Sequence, residues 1–105
     1  MISESDWKKF KKIKESALER FCGGAMDECQ EVLANRDASN HARYLYLYKL
    51  VVNYDKRIAS LFNDHSRSKA MIQLMLLRQE GLVTNDELET LSEEFRKSTE
   101  PSNHA

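Results

Sequence analysis

The sequence predicts an all-α fold, an antiparallel bundle of three long helices with a short C-terminal fourth helix. Three observations carry this expectation. Proline is absent before Pro101 and glycine occurs only at Gly23, Gly24 and Gly81, so the chain holds few helix breakers. Apolar residues recur at spacings of three and four over long stretches, and no segment alternates with period two. A chain of 105 residues with 41% hydrophobic content has the size and core of one domain, expected over 1–97, with a flexible polar tail over 98–105.

The first helix starts at a Ser3 or Ser5 cap and carries Trp7, Phe10, Ile13, Ala17, Leu18, Phe21, Ala25, Cys29, Val32 and Leu33 on an amphipathic pattern that runs to about residue 35. Gly23 and Gly24 interrupt it. Each costs about 1 kcal/mol against alanine in a helix interior, which predicts either a kink or the close crossing of another helix. Residues 35–40 carry turn and capping types, and Ser39 or Asn40 opens a second helix over about 41–62. Its apolar residues, among them Tyr44, Leu47, Tyr48, Leu50, Val51 and Tyr54, exceed what one stripe can hold. Asp64 or Ser66 caps a third helix through Leu74 and Leu77, which Gly81 ends, with Leu82 placed for the contact that accompanies a glycine cap. Thr84 and Glu87 form a capping box, Val83 can staple to Leu88, and the fourth helix continues through Leu91 and Phe95 to about Lys97.

A net charge of -1 with 31% charged residues excludes no partner class. The charges are segregated nonetheless: residues 41–80 hold seven Lys and Arg against three acids, and residues 81–105 hold two against six. Such polarity suits docking of the fourth helix or contact with a protein partner. The first twenty residues show no unbroken apolar run, and no stretch approaches the roughly 20 apolar residues of a membrane span, so a soluble cytoplasmic protein is expected. Cys22 and Cys29 fall two turns apart on one helix, about 10 Å, beyond the reach of about 7 Å for a disulfide, and are expected to be reduced.

The search for chemistry finds no signature. His41, His65 and His104 are far apart, and neither Cys-x-x-Cys nor His-Glu-x-x-His occurs, so no metal and no cofactor is expected. Asp55 shares a helix face with Val51, Val52, Ile58 and Ala59, and a carboxylate buried there needs a cation such as Arg67, Lys69 or Arg78. Asp55 and His65 are the only residues on which an enzymatic reading can rest.

Two basic features remain. Lys8 and Lys12, flanked by Lys9, lie opposite the Phe10 and Ala17 face of the first helix, where cations oppose the macrodipole rather than stabilise the helix. His65, Ser66, Arg67 and Lys69 gather cations and a hydroxyl at a helix start, the usual setting for an anion. The acidic face that follows Gly81, with Asp86, Glu87, Glu89, Glu93 and Glu94, rules out a DNA-recognition helix there.

The reading that results is a non-enzymatic intracellular helical protein-interaction module, regulatory or accessory. The alternative is an RNA- or DNA-associated accessory protein that binds phosphate through the basic patches. A homodimer that buries the surplus around Tyr44, Leu47, Val51 and Tyr54 is the expected outlet for the apolar second helix.

Overall fold

The computed structural model describes residues 2–101, and every regular element in them is helical. Helix α1 spans Glu4–Ala34, α2 Asn40–Phe62, α3 Ala70–Gln79, α4 Asn85–Glu89 and α5 Glu93–Ser98, with one 3₁₀ turn at Arg67–Lys69 before α3. Only α1 and α2 are long. The expected third long helix has ten residues, because residues 67–69 form a 3₁₀ turn instead of its first turn, while Gly81, at φ 71°, ends it as expected. Leu82 then donates its amide to the Leu77 carbonyl at 3.0 Å, closing the glycine cap.

Local chemistry sets each boundary. The Ser3 side chain accepts from the Asp6 amide and starts α1, and Ser39 does the same for α2 through Ala42. Thr84 and Glu87 complete the capping box of α4. The expected fourth helix is in fact two short ones. Ser92 caps Phe95, so a new helix starts where the previous one has just closed at Thr90. Gly23 and Gly24 do not interrupt α1, which is continuous across them, and no neighbour crosses closely there, since nothing lies within 4 Å of a Cβ at either position.

The core sits at one end of the molecule. Phe10, Ile13, Ala17 and Phe21 of α1 meet Leu61 and Phe62 at the end of α2, Ala70, Leu74 and Leu77 of α3, and Leu82, Leu91 and Phe95. The phenyl rings of Phe10 and Phe95 meet edge to face at 6.3 Å between centroids. Asp6 joins the two ends of the chain, accepting from the Ser92 amide at 2.9 Å and the Ser92 hydroxyl at 2.5 Å. Thr99, expected in a mobile tail, is buried, and the Arg78 guanidinium donates to its hydroxyl at 2.8 Å. Ser98 is the last residue of α5, and residues 102–105 of that tail lie outside the described residues.

Beyond the core, α1 and α2 run on as a bare hairpin, and no residue from 22 to 60 is buried. The radius of gyration is 16.8 Å, against about 13 Å for a compact chain of this length, and the long axis reaches 53 Å. The molecule is a compact base from which a two-helix arm projects.

Candidate functional site

The arm comprises residues 22–34 of α1 and 40–53 of α2, and its inner seam is ordinary. Leu47 and Leu50 of α2 and Ala25 and Val32 of α1 are half-buried along it, and Tyr54 with Phe21 closes it at the foot. Tyr54 meets Phe21 edge to face and its hydroxyl donates to Glu28. Arg43 donates to the Val32 and Leu33 carbonyls, tying the start of α2 to the last turn of α1 and fixing the register of the hairpin.

The side chains on either flank of that seam differ in kind. Each residue advances a helix by about 100°, and α1 and α2 are antiparallel, so clockwise from the seam on one helix and anticlockwise on the other lead to the same face of the arm. One face receives Glu28, Glu31, Asn35, Arg43 and Tyr46, which line a cleft of about 320 Å³. The opposite face receives Cys22, Met26, Cys29 and Leu33 from α1, spaced four, three and four apart, and Tyr44, Tyr48 and Val51 from α2, spaced four and three. Met26 is 60% exposed, Leu33 52%, Tyr44 67%, Tyr48 63% and Val51 51%.

The base leaves this second face open as well. Arg20 reaches the Leu82 carbonyl and Glu87, and Arg57 reaches Glu80, from the flank that carries Glu31 and Tyr46. Helices α3 to α5 therefore pack on that side. On the other side Trp7, Lys11, Leu18, Phe62 and His65 line an open cleft of about 230 Å³ that continues the apolar face toward the base. The largest apolar patch on a protein surface is often a functional one.

The residues flagged from sequence fall in three places. Lys8, Lys9 and Lys12 are exposed and, with Ser5, edge a shallow cleft of about 240 Å³. His65 and Arg67 are engaged internally. The Lys14 ammonium donates to the Asp64 carbonyl at 2.6 Å and meets Nδ1 of His65 at 3.0 Å. Burial lowers the Lys14 pKa, and the Asp64 charge only partly opposes it. Arg67 donates to the Ile2 carbonyl through Nε and Nη2 and to Glu4 at 3.0 Å, while Ser66 and Lys69 stay exposed.

Asp55 corrects the sequence reading directly. It is exposed on the open face of α2, and none of Arg67, Lys69 or Arg78 pairs with it: Arg67 holds Glu4 and Arg78 holds the Arg96 carbonyl and Thr99. The wheel argument placed it among apolar residues, which is true, but that face has no neighbour. Among the described residues the buried carboxylate is Asp6, which nothing local in the sequence marks because its partner Ser92 is 86 residues away. Leu47 and Tyr54 belong to the inner seam, so the open face is carried by Tyr44, Tyr48 and Val51 together with Met26 and Leu33.

Replacing Arg67 and Lys69 together by alanine is expected to lower stability by about 1–2 kcal/mol, since Arg67 anchors the start of the chain through charge-assisted bonds to a backbone carbonyl. Exposed Lys69 alone should change it by less than about 0.5 kcal/mol. Urea denaturation of the double and single variants checks both values.

Among the described residues no three His, Cys, Asp or Glu side chains converge, and no helix is long and apolar enough to cross a membrane. Comparison with protein-family models, with curated proteins and with solved structures finds no match to this chain.

Proposed function

We propose that this chain is a helical protein-interaction module, regulatory or accessory in role, that works by docking a protein partner on the open apolar face of its two-helix arm. One observation carries the reading: five large apolar side chains, each at least half exposed, share one face of an element that contributes nothing to the core. A helix pair has no folding reason to display tyrosine, methionine and leucine at bundle spacing, whereas tyrosine and methionine are enriched where proteins meet. The second reading, phosphate binding by a nucleic-acid accessory protein, rests on the exposed Lys8, Lys9 and Lys12 face.

Tagged protein captured from cell extract separates the two. The wild type should retain protein partners after nuclease treatment. The variant carrying Tyr44→Ser, Tyr48→Ser and Val51→Thr should lose them while remaining helical. If nuclease strips the partners and Lys8→Ala with Lys12→Ala abolishes capture, the nucleic-acid reading replaces the docking one.

A further inference from the structure

We propose that the occupant of the open face is a second copy of this chain, the two arms packing antiparallel about a two-fold axis to make a four-helix bundle. The proposal rests on the docking reading and names its partner.

A two-helix layer needs a second layer to enclose a core, and a four-helix bundle is the smallest common solution. A two-fold contact further demands that the face match itself after rotation. Let the axis lie between the layers and perpendicular to the helices, so that each helix lies antiparallel on its own copy. With Tyr48 on the axis, Leu45 and Val51 stand three residues to either side, Tyr44 and Val52 four, and His41 and Asp55 seven. Apolar residues then meet apolar residues, and Asp55 of each copy meets His41 of the other. Among the described residues neither the Asp55 nor the His41 side chain has a hydrogen-bond or ion-pair partner, and both are exposed.

The α1 stripe obeys the same symmetry independently. Cys22, Met26, Cys29 and Leu33 mirror about a point between Asp27 and Glu28, bringing Met26 against Cys29 and Cys22 against Leu33 of the other copy. One axis can serve both helices only if the two centres lie level. They do: Arg43 bonds the Val32 carbonyl at 3.3 Å, and five residues further from the hairpin turn on each helix lie Tyr48 and Asp27.

Area and access agree. Aromatic side chains present about 150–250 Å² each, and methionine, leucine and valine somewhat less. Five of them, half to two-thirds exposed, therefore offer on the order of 500 Å² per copy before the half-buried neighbours are added. Two copies reach about 1,000 Å², the lower bound for a specific interface. Helices α3 to α5 lie on the other face and at the far ends of the antiparallel pair, so they do not obstruct it.

Sedimentation equilibrium of the full chain should show a dimer in the micromolar range, and Tyr48→Asp should weaken association by at least about tenfold, as loss of a central interface tyrosine does. His41→Asp and Asp55→His should each weaken it, because each sets like groups opposite one another. The double exchange should restore association to within about threefold of the wild type. With Cys22→Ala and Cys29→Ala as background, Tyr48→Cys should cross-link chain to chain when diamide takes two electrons and two protons from the facing thiols. Asp27→Cys, on the opposite flank, should not.

A monomer at high micromolar concentration overturns the proposal, as does a dimer indifferent to Tyr48→Asp, or one that cross-links equally at position 27. A monomer that still captures another protein through Tyr48 defeats the second copy and leaves the docking reading intact. A monomer that captures nothing through that face defeats both. Circular dichroism of each variant checks that the exposed substitutions leave the helices folded.

Discussion

Phe10→Ala is expected to remove about 3–5 kcal/mol of stability, a large share of what a domain of this size possesses. Phe10 is fully buried, stacks on the edge of Phe95, and lies 6.2 Å from the Trp7 ring, so truncation opens a cavity where α1 meets the C-terminal helices. The small base holds the whole core and has little capacity to collapse around a void. Trp7 is the only tryptophan, and its emission in urea gives the transition midpoint. An unchanged midpoint would mean that α5 is not packed on α1.

Asp6→Ala is expected to cost about 2–3 kcal/mol, for a different reason. It leaves the Ser92 amide and hydroxyl, which Asp6 accepts at 2.9 and 2.5 Å, without their buried acceptor. Burial alone would raise the Asp6 pKa, but the Ser92 hydroxyl and amide, the Ser3 side chain and the Lys9 charge outweigh it and hold the carboxyl below its ordinary value. The folded state therefore binds the proton less readily than the unfolded chain. The stabilisation is complete above the unfolded carboxylate value near pH 4 and fades as the pH falls through the lower folded value. Stability measured from pH 7 downward should converge for wild type and Asp6→Ala in acid, and parallel curves would show that the carboxylate charge is not involved.

Much of the base was legible in the sequence, because its signals are local. The Thr84 and Glu87 capping box, the Gly81 and Leu82 cap and the Ser39 start all act within a few residues, and the structure uses each of them. The split between α4 and α5 was not legible, since Leu88, Leu91 and Phe95 keep a helical spacing across it and only the Ser92 cap marks the break. The Asp6 to Ser92 link joins residues that no periodicity relates. For the candidate site, the surplus of apolar residues on α2 was visible, but a wheel gives the angle of a side chain and not what stands opposite. A wheel therefore gives Asp55 a buried setting that it lacks, and places Tyr54 and Leu47 with Tyr44 and Val51 although they face the seam. The spacing of Cys22, Met26, Cys29 and Leu33 held the missing half of the face. It became readable once the hairpin register, set by Arg43 on Val32, showed which flank each stripe occupies.

The open face of the arm is the central claim, and a photoreactive benzoylphenylalanine placed at Tyr48, compared with one at Asp27, tests it most directly. Both positions lie at the same height on the arm and both are exposed, but only Tyr48 belongs to the apolar face. Irradiation in living cells should give protein adducts from position 48 that survive nuclease, and few or none from position 27. Adducts of equal yield at both positions, or none at 48, would contradict the account.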